Sequence, residues 1–335
     1  MKLLKLASAI ALLGMAGVCQ ASMIITDGNV SLGVDDYGQL NVEGGNADVT
    51  GLTGVGLRYI SDGIEYESTY HGCVCEGWGV AANGVGGSAN NDWGVSGLNL
   101  ISFDSTATTA TSVTSMGGLL QITHEFVLSA ETDNLFRVAV TIENISGADI
   151  ANLLYRRTFD WDTSPTPFSE FVTIGGTAAA SAVLAANDNG FCNSNPLDSC
   201  FDLLGNTGDF TAGGPGDIGS NFDFDFGALL AGESYSFEIF YGGADNRDAA
   251  LSALASVGAE VYSLGWSGND ANQDGFGDAS GAITPTYIFG FSGVGGTVVI
   301  DPTDPVDVPA PASLLLFGSG IVALFMRRKR YAKLQ

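Results

Sequence analysis

The sequence predicts an all-β protein, an antiparallel β-sandwich that is either one large sandwich or a double one, with one short helix. Three observations lead to this prediction. The 335 residues are 45% hydrophobic and only 15% charged, so the chain has enough apolar surface for a folded core. Apolar and polar residues alternate along several segments, which is typical of half-buried strands. The 47 glycines, with Asn, Asp and Ser, supply turns between those segments.

The predicted elements are seven strands and one helix. Alternation is clearest at 135–143, through Phe136, Val138, Val140 and Ile142, and at 234–241, through Tyr235, Phe237, Ile239 and Tyr241. Further strands are predicted at 119–128, 153–161, 222–226, 287–291 and 297–300. The helix is predicted between a cap at Asp245 or Asn246 and a stop at Gly258. Its apolar positions recur at helical spacing: Ala249, Ala250, Leu251, Leu254 and Val257.

Charge is distributed very unevenly along the chain. Between Lys5 and Arg327 there are 37 acidic residues, five arginines and no lysine. Nucleic-acid binding requires clustered basic residues that neutralise phosphates, so this composition excludes nucleic acid as a partner. It favours cations as ionic ligands.

Residues 1–21 have the layout of a secretory signal peptide, with a basic start, an apolar run and small residues before the cleavage position. Cleavage after Ala21 would start the mature chain at Ser22. A lipoprotein acylated at Cys19 is disfavoured because Val18 is larger than the residue normally found there. An uncleaved anchor is disfavoured because the apolar run is short. The sequence therefore predicts export of an ectodomain that spans residues 22–300.

The C-terminal segment has the features of a second targeting signal. Residues 301–307 form an acidic, proline-rich linker. The apolar stretch at 312–326 would make a helix of about 22 Å, shorter than the roughly 30 Å hydrocarbon core of a bilayer. A basic tail that we expect to stay cytoplasmic follows it: Arg327, Arg328, Lys329 and Arg330. These features predict a transient membrane-anchored form.

The segment from Val308 through Pro309, Ala310 and Pro311, with the apolar stretch and basic tail behind it, resembles the PEP-CTERM sorting signal of Gram-negative bacteria over residues 308–335. Ala310 stands where that signal usually has glutamate. The resemblance implies processing by an exosortase, a membrane transpeptidase, and transfer to the cell envelope, the outer surface or the extracellular matrix. The alternative is a plain C-terminal anchor, which the short helix and the N-terminal signal disfavour.

A calcium loop is predicted near the end of the ectodomain. Its oxygen ligands would come from Asp270, Asn272 and Asp274, from the carbonyl of Phe276, and from Asp278 directly or through water. Position 12 is Gly281 rather than the bidentate glutamate of an EF-hand, so the pattern is closer to weak extracellular calcium sites. The alternative is an acidic turn without a metal.

Four cysteines remain after signal cleavage, and in an exported protein they predict disulfides. Cys192 and Cys200 bracket a short loop that a bridge would close, which leaves Cys73 and Cys75 to pair with each other or to cross-link to that pair. The competing hypothesis is a thiolate-imidazole metal site that uses His71. The spacing of Cys73 and Cys75 disfavours it.

A third group of polar residues follows at 156–170 and comprises Arg156, Arg157, Asp160, Trp161, Asp162 and Glu170. Strand alternation puts Asp160 and Asp162 on one face together with Arg156. Three interpretations stay open: a sugar site with acid and base carboxylates, a second calcium site, or an ion pair with Arg156.

The sequence favours a structural or adhesive surface protein over an enzyme, because neither His71 nor His124 has a matching nucleophile motif. The alternative is a module that binds or cleaves polysaccharide. Calcium is the expected cofactor, and the expected partners are an exosortase and an extracellular polysaccharide.

Overall fold

Strands are the main regular element of residues 22–302, the part of the chain that the computed structural model describes, and both tight turns and longer loops connect them. The strands are β1 (Ser22–Asp27), β2 (Val30–Asp35), β3 (Leu57–Ser61), β4 (Ile64–Glu67), β5 (Glu76–Ala82), β6 (Val85–Asn90), β7 (Gly94–Ser96), β8 (Asn99–Ser105), β9 (Ala110–Met116), β10 (Leu120–Leu128), β11 (Leu135–Asn144), β12 (Leu153–Asp160), β13 (Glu170–Gly175), β14 (Val183–Asn187), β15 (Phe210–Gly216), β16 (Gly219–Asp225), β17 (Ser234–Ala244), β18 (Val261–Ser267) and β19 (Thr286–Ser292). The helix α1 spans Arg247–Ser256, and a 3₁₀ turn spans Thr177–Ala179.

These strands form three sheets, and every strand pair within them is antiparallel. The small sheet has the order β1-β2-β3-β4. The nine-stranded sheet has the order β15-β13-β18-β19-β17-β11-β10-β9-β8, and the six-stranded sheet has the order β14-β16-β12-β5-β6-β7. The predicted all-β, antiparallel sandwich is confirmed.

One hydrophobic cluster joins all three sheets. Between the two larger sheets it is aromatic: Phe159 of β12 lies 5.8 Å from Tyr241 of β17, and Phe222 of β16 lies 5.1 Å from Phe291 of β19, measured between ring centroids. The faces predicted from alternation in β11 and β17 therefore point into this core. Such aromatic pairs bury large apolar areas, which makes them the main cohesive contact between the sheets.

The helix is also as predicted. The side chain of Asn246 accepts a hydrogen bond from the Ala249 N–H at 3.0 Å, which caps the first turn. Leu254 and Ala250 then pack against Phe240 and Ile288 on the outer face of the nine-stranded sheet. Alternation along β17 thus serves two cores, one on each face.

The prediction of a strand at 297–300 is wrong. This segment follows Gly293 and Gly295, both with positive φ, and its backbone bond to the rest of the fold is from Val299 N–H to the Ala259 carbonyl. Val298 and Ile300 are exposed, and Val299 packs, partly buried, against the cluster beneath α1, so the segment covers the core as a loop rather than as a strand of the three sheets.

Residues 1–21 and 303–335 lie outside the described residues, and with them the predicted signal peptide, nearly all of the acidic linker, the sorting motif, the apolar stretch and the basic tail. Within residues 22–302 there is no helix of the length and hydrophobicity needed to cross a bilayer.

Candidate metal centre

Each of the four cysteines forms a disulfide with the one nearest to it in sequence. Cys192 pairs with Cys200 and Cys73 pairs with Cys75, with Cα–Cα distances of 5.6 and 5.1 Å. This removes the cross-linked alternatives, and disulfide sulfur is not a thiolate ligand. The imidazole of His71 instead lies with Nε2 3.2 Å from the Thr50 hydroxyl, so the thiolate-imidazole hypothesis is not supported.

Three carboxylates converge where the chain crosses between the two larger sheets, and a fourth, Glu170, interacts with them electrostatically. Asp160 ends β12 opposite Gly219 of β16, while Glu170 begins β13 opposite Gly216 of β15. Asp217 lies in the turn between those two glycines, and Asp162 follows β12. We call Asp160, Asp162, Glu170 and Asp217 the acid cluster. Ligand oxygens of Asp160, Asp162 and Asp217 all lie within 4.8 Å of one another.

Glycines allow the chain to cover Asp160. A Cβ added at Gly190 would lie 2.8 Å from Asp160 Oδ1, and one added at Gly219 would lie 2.8 Å from the Asp160 Cα. Such distances are shorter than real Cβ contacts, so any larger residue would push the cover away. The side chains of Asp160, Asp162 and Glu170 are at most 1% exposed, whereas Asp217 is exposed at one side of the acid cluster.

Most of these buried oxygens have no protein donor. Within residues 22–302, Asp160 Oδ1, both oxygens of Asp162 and the buried hydroxyl of Thr163 lack a hydrogen-bond partner, and the Glu170 carboxylate faces only the backbone N–H groups of Ser169 and of Glu170 itself. Asp160 Oδ2 lies 3.5 Å from Cys73 Sγ, but a disulfide sulfur carries no hydrogen to donate. Leaving buried acceptors unpaired costs about 1–3 kcal/mol each and more for charged groups, so native proteins rarely do it.

The carboxyl groups of the acid cluster resist ionisation. Burial, reinforced by the charges of Asp160 and Asp217, raises the pKa of Glu170 to about 9. Burial raises the pKa of Asp162, with further contributions from Asp160 and Glu170, and burial with the Asp217 charge raises that of Asp160. These groups therefore favour either protons or a cation at neutral pH.

Within residues 22–302, no arginine forms an ion pair with the acid cluster. The five arginines of residues 22–302 pair with other acids: Arg58 with Glu65 and Glu67, Arg137 with Glu238, Arg156 with Asp223, Arg157 with Glu76, and Arg247 with Asp248. The proposed ion pair between Arg156 and the two aspartates is therefore wrong. The guanidinium of Arg156 donates its hydrogen bonds to the Asp223 carboxylate and to the carbonyls of Asn193 and Asn195.

The predicted calcium loop is held by its own hydrogen bonds. Asp270 is buried, and its carboxylate accepts the N–H groups of Asp274 and Gly275 and the Thr284 hydroxyl, at 2.9–3.1 Å. Asp274 accepts the Phe276 N–H at 3.0 Å and the Asn272 amide at 2.9 Å, and Asp278 accepts the Ala271 N–H at 3.1 Å. The structure does not bring the three carboxylates together as it does those of the acid cluster.

Sequence reasoning found three members of the acid cluster and missed Asp217. Asp160 and Asp162 were expected on one face, and Glu170 was grouped with them. Asp217 gave no signal because only the register of β15 and β16 against β13 and β12 places it there. The oxygen-only donor set fits a hard divalent cation such as Ca²⁺.

Comparison with known proteins identifies the tail rather than the ectodomain. Residues 307–330 match the family model of the PEP-CTERM protein-sorting motif. The search of curated proteins found no match. The chain therefore carries the signal of an exported protein that an exosortase sorts to the cell surface, which confirms the resemblance seen in the sequence.

Proposed function

We propose that this protein is a structural or adhesive component of the cell envelope or extracellular matrix, without enzymatic activity. The observation that carries the proposal is the PEP-CTERM motif at residues 307–330, which follows an ectodomain whose regular secondary structure is almost wholly antiparallel strand. Sorting brings such a domain to the surface, where two disulfides and a large aromatic core support persistence outside the cell.

An exposed apolar surface supports an adhesive role. Leu184 lines a surface cavity together with Cys200 and Phe201, and Leu203 and Leu204 follow Phe201 closely in sequence. We call Leu184, Phe201, Leu203 and Leu204 the loop patch; they are 64%, 75%, 43% and 55% exposed. The cavity lies beside the edge strand β14. The Asn189 amide donates to the Phe201 carbonyl at 2.6 Å and so fixes this loop. Ordered apolar side chains grouped on a surface are typical of interaction sites.

The proposal includes weak calcium binding at the loop 270–278. Asp274 lines a surface cavity of about 370 Å³ together with Asp62 and Asp245, so negative charge surrounds this side of the loop. Without a glutamate at position 12, we expect an affinity on the order of 10⁻⁴ M or weaker.

A polysaccharide partner is the second candidate. The side chain of Trp93 is 58% exposed, and its indole N–H donates to the Phe191 carbonyl at 3.1 Å, which orients the ring. A fixed aromatic face is a suitable platform for a sugar ring. Cleavage of the polysaccharide is disfavoured because Asp160 and Asp162 are buried beneath the chain rather than exposed in a groove.

The test uses the full chain in a Gram-negative host that has an exosortase. Intact-mass measurement of surface protein should show a chain cut between about 308 and 313, without residues 327–330. Full-length chain on the surface would contradict processing. Matrix retention should then fall when Phe201→Ser and Leu204→Ser are combined, because the apolar contact is lost.

Leu230→Ser is the matched control, because Leu230 is 51% exposed but lies outside the loop patch. Retention that falls equally in the control, or that does not change in the double variant, would contradict adhesion through the loop patch. Loss of retention only in Trp93→Ala would support the polysaccharide candidate instead.

A further inference from the structure

We propose that the acid cluster of Asp160, Asp162, Glu170 and Asp217 is a calcium site, distinct from the loop 270–278. The inference is independent of the adhesive role, since it rests on the geometry of the ectodomain alone. Three chain segments supply the ligands: the end of β12, the start of β13 and the turn between β15 and β16.

The carboxylates of the acid cluster lie close together, and no basic side chain of residues 22–302 neutralises their charge. Oxygens of three carboxylates lie within 4.8 Å of one another, and the arginines of residues 22–302 are paired elsewhere. The sequence also has no lysine between Lys5 and Lys329 that could take part. The positive charge that such a group attracts must therefore come from solution.

One buried carboxylate of the acid cluster lacks the hydrogen bonds that buried carboxylates normally accept. Asp162 is fully buried, and neither of its carboxylate oxygens has a hydrogen-bond partner among residues 22–302, although it lies close to Asp160 and Asp217 and interacts electrostatically with Glu170. Buried carboxylates that serve the fold accept N–H or O–H donors, as Asp270 does in this protein. A fully buried carboxylate whose two oxygens lack donors, and which has three other carboxylates around it, has the features of a cation ligand.

The chemistry of the donors selects the ion. All four side chains offer carboxylate oxygen, and neither imidazole nor thiolate is present, since Cys73 and Cys75 are bonded to each other. Calcium takes six to eight oxygen ligands in flexible arrangements, whereas magnesium requires a near-octahedral set and keeps several waters. Exposed Asp217 provides the route by which the ion enters. Calcium also joins β12 to β13 and β15 to β16, so its binding should stabilise the junction of the two large sheets.

The experiment measures thermal unfolding of the full chain in chelator and in millimolar calcium, with the metal alone as probe. We expect the Tm of the wild type to rise by about 5 °C if calcium exceeds its Kd a hundredfold. Asp162→Asn and Glu170→Gln should remove this shift apart from the smaller contribution of the weak loop site. Asp274→Asn, which alters only the loop, should retain it, and so should the exposed control Glu125→Gln. Magnesium at the same concentration should give a smaller shift.

Equilibrium dialysis with radioactive calcium supplies a second readout. The stoichiometry should fall by one in Asp162→Asn and in Asp217→Asn, the latter a change at the exposed side that leaves the buried carboxylates in place. An unchanged shift and stoichiometry in these variants would overturn the inference. So would a shift lost only in Asp274→Asn, which would assign calcium to the loop, or no binding at all.

Discussion

Glu67 and Asp162 are both fully buried carboxylates, but their surroundings are opposite. Glu67 accepts the Arg58 guanidinium at 3.0 Å and the N–H groups of Leu57, Ser68 and Thr69 at 3.0–3.2 Å. Asp162, in the neighbouring chain segment, accepts nothing from the protein. Buried charge therefore has two uses in this protein. The Glu67 carboxylate belongs to a hydrogen-bonded network within the protein that fixes the β3–β4 hairpin. The Asp162 carboxylate has no such network, so only a proton or a cation from solution can neutralise it.

The electrostatics of Arg58 support this contrast. Burial opposes its charge, but Glu67 and Glu65 outweigh burial and raise the pKa of Arg58 above its ordinary value. Removing one partner of such a pair is strongly destabilising, because the other then stays buried and uncompensated. The same penalty applies permanently to the acid cluster unless protons or a cation bind.

The largest effect is expected from Arg58→Met. It leaves Glu67 buried without its counter-ion, and the free energy of unfolding should fall by about 3–5 kcal/mol. Urea denaturation followed by tryptophan fluorescence measures this loss. A loss below about 1 kcal/mol would mean that Glu67 is satisfied by its backbone donors alone, and the proposed difference between the two regions would be much smaller.

An intermediate effect is expected from pH in the presence of chelator. The pKa of Glu170 is raised to about 9, above its unfolded value near 4.5, so the folded state holds a proton that the unfolded state releases. Its contribution to stability is complete below the unfolded pKa and is lost as pH rises through the folded pKa. Stability should therefore fall by roughly 2–3 kcal/mol between pH 7 and 9.

Glu170→Gln should reduce this dependence by the share of one proton, because burial also raises the pKa of Asp160 and Asp162, and the exposed control Glu125→Gln should leave it unchanged. Buried His124 does not interfere in this window, since burial lowers its pKa and its effect appears only when the pH falls below about 6.5. Denaturation curves at each pH test the prediction. The same slope in the wild type and in Glu170→Gln would refute the assignment to the acid cluster.

The smallest effect is expected from Arg137→Ala. Its guanidinium lies 2.8 Å from Glu238, but the two side chains are 42% and 33% exposed, so water already solvates both charges. Stability should change by about 0.2–1 kcal/mol in urea denaturation. A change above roughly 2 kcal/mol would show that burial is not what distinguishes the Arg58 pair from a surface pair.

The glycine-rich strands show where sequence patterns fail. Residues 76–90 contain β5 and β6, yet no strand was predicted there, because glycines interrupt the alternation of apolar side chains. A Cβ added at Gly79 would lie 2.1 Å from the Ser194 carbonyl, so this glycine is needed for the close approach of another chain segment. The reason for its identity is a tertiary contact that no local pattern contains.

By itself, the sequence determined the elements whose signals are local. Alternation sufficed for β11 and β17, a cap at Asp245 or Asn246 for the helix, and the proline motif with its apolar stretch and basic tail for sorting. Only the tertiary structure decided which charges meet. Arg156 forms an ion pair with Asp223 rather than with Asp160, and Asp217 lies close to Asp160 and Asp162. Strand register brings these residues together from distant parts of the sequence, and the energy of a buried charge depends on the neighbours that it finds there.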